Sequence, residues 1–119
     1  MIRRWQLFMA VLAVGAAGTV PRAESANGYP TEVVADYVLG CMAANGQTAK
    51  ALRQCSCSID VVSSLLTYDD YSAAETVLRM RQVPGGGEKM MIFRETPASQ
   101  VKVDALRQSQ IEAEVRCFY

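Results

Sequence analysis

The side chains of this chain that can do chemistry are carboxylates and cysteines, because the sequence contains no histidine. Histidine is the commonest general base and a frequent metal ligand, so its absence removes both roles together. Asp69 and Asp70 are adjacent, flanked by Tyr68 and Tyr71, and Glu75 follows within two helical turns. Glu32 and Asp36 stand four residues apart, which puts both on one face of a helix. Such oxygen clusters suit hard cations, which take six or more oxygen ligands and let water fill the gaps. A site built this way is shallow and incomplete, to be completed by water or by a second protein molecule. The same residues have a plainer use, since carboxylates in a first helical turn favour the dipole and Asp70, three after Thr67, resembles a capping-box partner. No calcium loop of the Asp-x-Asp-x-Asp-Gly type occurs. Catalysis by paired carboxylates requires them to face each other across a cleft. Adjacent residues on a helix diverge by ~100°, so the expectation is a binding protein and not an enzyme.

The four cysteines are Cys41, Cys55, Cys57 and Cys117. No Cys-x-x-Cys redox pair and no haem-attachment Cys-x-x-Cys-His is present. A thiolate metal site needs further cysteine or histidine converging on one ion, so an even number of cysteines predicts two structural disulfides. Cys55 and Cys57 point roughly 200° apart on a helix and do not pair with each other. Two connectivities remain. An antiparallel hairpin about Gly46-Gln47 favours Cys41–Cys55, leaving Cys57–Cys117 to staple the last helix to the second. Met80, Met90 and Met91 are soft ligands in principle. They lack a Met-x-x-Met spacing and read as core filling.

Four helices are predicted to carry these residues. The first spans Thr31–Asn45, with Thr31 as cap, Val34, Tyr37, Val38 and Cys41 on one face, and Asn45-Gly46 as its stop. The second spans Thr48–Leu66, with Leu52, Cys55, Ile59, Val62 and Leu66 as a buried stripe. The third spans Tyr68–Gln82, capped by Thr67, with Tyr71, Ala74, Val77 and Leu78 inward. It ends at Val83-Pro84-Gly85-Gly86-Gly87. That glycine run is a loop and not a phosphate cradle, since no Lys-Ser/Thr follows it. Met90–Phe93 reads as irregular. The fourth helix spans Pro97–Phe118, with Thr96 as cap and proline at its first position. Val103, Leu106, Gln110, Ala113 and Cys117 form its stripe, and Ile111, Val115 and Phe118 widen it. The fold expected is all-α, a small four-helix bundle-like domain with two disulfides.

The N-terminus predicts export. Arg3 and Arg4 precede an apolar run from Leu7 to Val14, and small residues lead to Ala23-Glu24-Ser25. Residues 1–25 therefore read as a signal peptide, with Gly18 and Ala26 as other cleavage points. An uncleaved anchor is the alternative, against which the apolar run falls short of the ~20 residues of a membrane span. Residues 26–119 form the helical domain, and residues 26–30 read as a disordered lead. Cleavage takes Arg3, Arg4, Arg22 and Glu24 from 12 basic and 12 acidic residues, leaving 9 and 11, a net charge of −2. That balance argues against nucleic acid and against docking on an anionic membrane. Disulfides are the usual support for so small an exported domain.

The signal peptide, Cys55-Ser-Cys57-Ser-Ile-Asp60, Leu66-Thr-Tyr-Asp-Asp-Tyr71 and Cys117-Phe118 together resemble the landiscernin-like small periplasmic lanthanide-binding proteins of methylotrophic bacteria. The likeness spans the mature chain. It implies a lanthanide(III) ion as ligand, metal-promoted homodimerisation, and handover to a periplasmic partner such as lanmodulin. It assigns no ligand positions, so Asp69, Asp70, Glu75, Glu32 and Asp36 rest on the chemistry above. The expectation is thus periplasmic metal binding and trafficking. The alternative is a non-metal accessory or interaction subunit of a quinoprotein dehydrogenase system, which would use exposed apolar or tyrosine-bearing helix faces.

Overall fold

A computed structural model describes residues 27–119, the side chain of residue 93 excepted. The expected signal peptide, Met1 to Ser25, lies outside the described residues. The domain is all-α, with helices α1 (Thr31–Asn45), α2 (Ala49–Leu65), α3 (Tyr68–Gln82), α4 (Gly87–Arg94) and α5 (Pro97–Phe118). Among the described residues, no helix is long and apolar enough to cross a membrane.

Helices α1 and α2 form an antiparallel hairpin. Three cross-links follow one another along it: the Tyr29 hydroxyl on the Leu66 carbonyl at 3.0 Å, the Tyr37 and Ser58 hydroxyls at 2.9 Å, and the Cys41–Cys55 disulfide. The hairpin turns where Gly46 takes φ 106°, a left-handed conformation that suits glycine. The Thr48 hydroxyl oxygen accepts from the Ala51 amide at 3.0 Å and starts α2. α5 packs chiefly on α2 and α3, and Cys57–Cys117 bonds it to α2. Both disulfides follow the favoured connectivity. The core holds Tyr29, Ile59, Val62, Tyr71, Ala74 and Leu106, with Val34, Tyr37, Val38 and Leu78 packed against it.

Several details depart from the expectation. Among the described residues there are five helices, because residues 87–94 form α4 where Met90–Phe93 read as irregular. Glu88 in its first turn and Arg94 in its last suit the helix dipole, and its remaining support is tertiary. Arg94 donates to the carbonyls of Met80 (3.0 Å), Val83 (3.1 Å) and Gly85 (2.8 Å), tying the glycine loop to the end of α3. The first helix begins after Pro30, whose carbonyl accepts from Val33 and Val34, and Thr31 is not its cap. The lead is ordered from Asn27, whose amide donates to the Ser63 hydroxyl at 2.8 Å, and Tyr29 is fully buried. A single aromatic residue outside a periodic segment leaves no pattern, so this anchor was invisible in the sequence. Leu52, Ile111 and Val115 are exposed rather than part of their stripes. The α5 face that meets the core is Ser99, Val103, Leu106, Ser109 and Ala113, narrower than the predicted one.

Candidate functional site

The five candidate carboxylates fall in two places. At the start of α3, Thr67 caps the helix by accepting from the Asp70 amide at 3.2 Å, and its hydroxyl donates to Asp70 Oδ2 at 3.0 Å. Lys102 Nζ, from α5, donates to Asp70 Oδ1. The hydrogen bonds from Lys102 and then Thr67 hold the Asp70 carboxyl below its ordinary value. Asp69 points elsewhere, as the helical angle requires. It lines a cavity of about 560 Å³ between α3 and the start of α5, with Ala73, Val77 and Ala98 among its walls. The adjacent pair is therefore divided, and Asp70 has its cation already.

The other three candidates come together where α1 faces α3. Glu32, Asp36 and Glu75 line one groove of about 370 Å³, with Tyr68, Tyr71 and Arg79. The four-residue spacing of Glu32 and Asp36 turns both toward α3, and Glu75 lies four residues before Arg79 on it. The Arg79 guanidinium spans the groove's rim, with Nη2 at 3.9 Å from Asp36 Oδ2 and Nε at 3.8 Å from Glu75 Oε2. Arg79 is 72% exposed, so these pairs are solvent-screened and easily exchanged.

Asp36 and Glu75 also stand on the wall of a second recess of about 520 Å³, bounded by Tyr37, Tyr71, Glu114 and Phe118. Tyr71 is 94% buried, its ring 5.2 Å from that of Tyr29. Burial, and then the charge of Glu75, raise its phenol pKa. Glu114 escaped sequence reading. Gln110, Glu114 and Phe118 recur at four-residue spacing on α5. The polar residue that interrupts the predicted α5 stripe was therefore the signal of a second face, one that borders a recess.

Among the described residues, no group of three or more aspartate, glutamate or cysteine side chains stands closely enough together to hold a metal ion as it is. All four cysteines are in disulfides. The arrangement offers negative potential, phenol oxygens and aromatic walls. These attract a cation without providing a nucleophile with its base.

No protein family, no curated protein and no solved structure matches the chain.

Proposed function

We propose that this chain is an exported, non-enzymatic binding protein that holds a hard cation of the lanthanide(III) class for trafficking. The observation that carries the reading is the meeting of Glu32, Asp36 and Glu75 on one groove between α1 and α3. A trivalent ion exceeds the charge of the Arg79 guanidinium and replaces it at the rim, drawing carboxylate oxygens inward. One chain offers too few converging oxygens, so water or a second copy completes the shell, and metal promotes a homodimer. Asp70 is a weaker contributor, since Lys102 already occupies it. Two disulfides accord with a periplasmic setting, and the resemblance to the landiscernin-like proteins points to lanmodulin as the kind of partner that receives the ion.

The test is a calorimetric titration of the purified chain with lanthanum and with calcium, with size followed by light scattering. Tight lanthanum binding, weak calcium binding and growth in size are expected, all lost in Asp36→Asn/Glu75→Gln and retained in Asp69→Asn. No binding of either ion overturns the reading.

A second reading is an accessory subunit of a quinoprotein dehydrogenase system that needs no metal. One observation favours it: Ile111 and Val115, one turn apart on the outer side of α5, are 61% and 59% exposed. It predicts co-purification with the enzyme irrespective of metal, abolished by Ile111→Lys.

A further inference from the structure

Helix α5 carries apolar residues on two opposite faces. Val103, Leu106 and Ala113 face the core. Val101 lies on the other side, 66% exposed, together with the exposed Ile111 and Val115. Single exposed apolar residues are ordinary, but these three share one stripe. Val101, Asp104, Gln108, Ile111, Val115 and Phe118 recur at alternating spacings of three and four, the heptad pattern by which two helices pair. At 100° per residue the stripe lies about 180° from the core-facing residues, so the body of the domain lies behind it. Valine and isoleucine are β-branched and are weaker helix formers than straight-chain residues. Local helix formation therefore does not account for them. The polar positions, Asp104 and Gln108, are of the kind that fixes register and orientation in a helix pair at a cost in stability.

The charges beside the stripe specify what covers it. Arg107 and Glu114 border one flank and are exposed, and among the described residues neither forms an ion pair. In an antiparallel pair of α5 helices, that flank of one copy faces the same flank of the other. A two-fold axis midway between Ser109 and Gln110 sets Gln108 opposite Ile111, Asp104 opposite Val115 and Val101 opposite Phe118 of the second copy. The same register sets Arg107 beside Glu114 of the second copy, twice by symmetry. Sliding one helix by a heptad in one direction would bring Arg107 to Arg107, and in the other direction Glu114 to Glu114. Charge complementarity therefore admits one register. A parallel pair would set the two Asp104 carboxylates against each other, whereas the antiparallel one separates them by about 16.5 Å along the axis. The stripe runs for about 26 Å, so the interface is small and its dimer weak.

We propose that the outer face of α5 is a self-association surface on which a second copy of this chain docks antiparallel. The two Ile111 side chains fill adjacent central layers, and Arg107 of each copy pairs with Glu114 of the other. This dimer needs no metal, so it stands apart from the metal-promoted dimer of the groove between α1 and α3.

The test is analytical ultracentrifugation of the purified, disulfide-bonded chain in EDTA, over a concentration series reaching about 1 mM, where weak interfaces show. A reversible monomer–dimer equilibrium is expected. Ile111→Lys weakens it about ten-fold or more, and so does Arg107→Glu, since each change enters the interface twice. The double variant Arg107→Glu/Glu114→Arg exchanges the charges and restores association to within about three-fold of the parent. All three positions are exposed, so the variants keep the fold, as far-ultraviolet circular dichroism checks. A chain that stays monomeric throughout the series overturns the proposal. So does a dimer that Ile111→Lys leaves intact, or one that the charge exchange fails to restore. A dimer that forms only with added lanthanum and survives Ile111→Lys overturns it and assigns association to the metal groove. A chain that is monomeric in EDTA but binds a dehydrogenase through Ile111 overturns it in favour of the accessory-subunit reading.

Discussion

The start of α3 and the groove beneath α1 hold similar carboxylates and opposite electrostatic situations. At the first, Asp70 receives the Thr67 hydroxyl and the Lys102 ammonium, so its charge is spent inside the fold. At the second, Asp36, Glu75 and Glu114 surround a recess lined by no basic side chain, with Arg79 only at the exposed rim. The difference comes from what lies across from each carboxylate, which depends on how α5 and α1 dock. An acidic cluster in a sequence is therefore ambiguous until its counter-charges are placed.

The recess also differs from the cap in being framed by disulfides, since Cys41–Cys55 fixes its α1 side and Cys57–Cys117 the α5 end that bears Glu114 and Phe118. The largest effect expected follows from this. Replacing Cys57 and Cys117 by serine lowers unfolding free energy by about 4 kcal/mol, and replacing Cys41 and Cys55 by about 3 kcal/mol, because the first closes the longer loop. Sequence separations of 60 and 14 residues set that order. Denaturant titration checks it, and equal losses would remove the loop-length account.

Next in size is a contrast between two buried tyrosines. Tyr29→Phe leaves the Leu66 carbonyl short of its donor and costs ~1–3 kcal/mol. Tyr71→Phe removes a hydroxyl that has no hydrogen-bond partner among the described residues and is open to solvent, and it stays within ~0.5 kcal/mol of the parent. Matching losses in thermal unfolding would show that the Tyr71 hydroxyl contributes to stability as the Tyr29 hydroxyl does.

Smaller again is the cap. Thr67→Ala frees the Asp70 amide and costs ~1 kcal/mol, with the groove's ligand binding unaffected. The smallest effect expected is on acid stability. The Asp70 carboxyl titrates below its ordinary 3.8 in the folded chain, so the unfolded chain takes up its proton first. The stabilisation is complete above that value and fades as pH falls through it toward the folded pKa. Asp70→Asn and Lys102→Met each flatten that acid limb, measurable as unfolding midpoint against pH. A limb of unchanged slope in both variants would show that the Lys102 pairing contributes nothing in solution.

Much of this organisation was legible along the chain. Thr48, Thr67 and Thr96 all cap helices, and Gly46 ends α1, because caps and stops act within a few residues. The stripe of Cys55, Ile59 and Val62 was legible for the same kind of reason, since the periodicity of a helix converts spacing into burial. Exposed Leu52, Ile111 and Val115 show the limit of that rule. An apolar residue at the right spacing is buried only if a neighbouring helix extends over it. Of the site, Glu32, Asp36 and Glu75 were identified as candidates, but their grouping apart from Asp69 and Asp70 was not. Glu114 was missed altogether.

The sequence by itself determined the all-α class, the limits of four helices to within a residue or so, the caps and the pairing geometry that favours two particular disulfides. These follow from hydrogen bonds and angular spacings between residues near one another in the chain. Only the tertiary structure decided that Arg94, at the end of a fifth helix, would bind three carbonyls of α3 and the glycine loop, that Lys102 would neutralise Asp70, and that α1, α3 and α5 would leave a recess lined by Asp36, Glu75 and Glu114. Those depend on groups brought together by packing across long sequence distances. Electrostatic attraction and burial act on that spatial proximity, which spacing along the chain does not record.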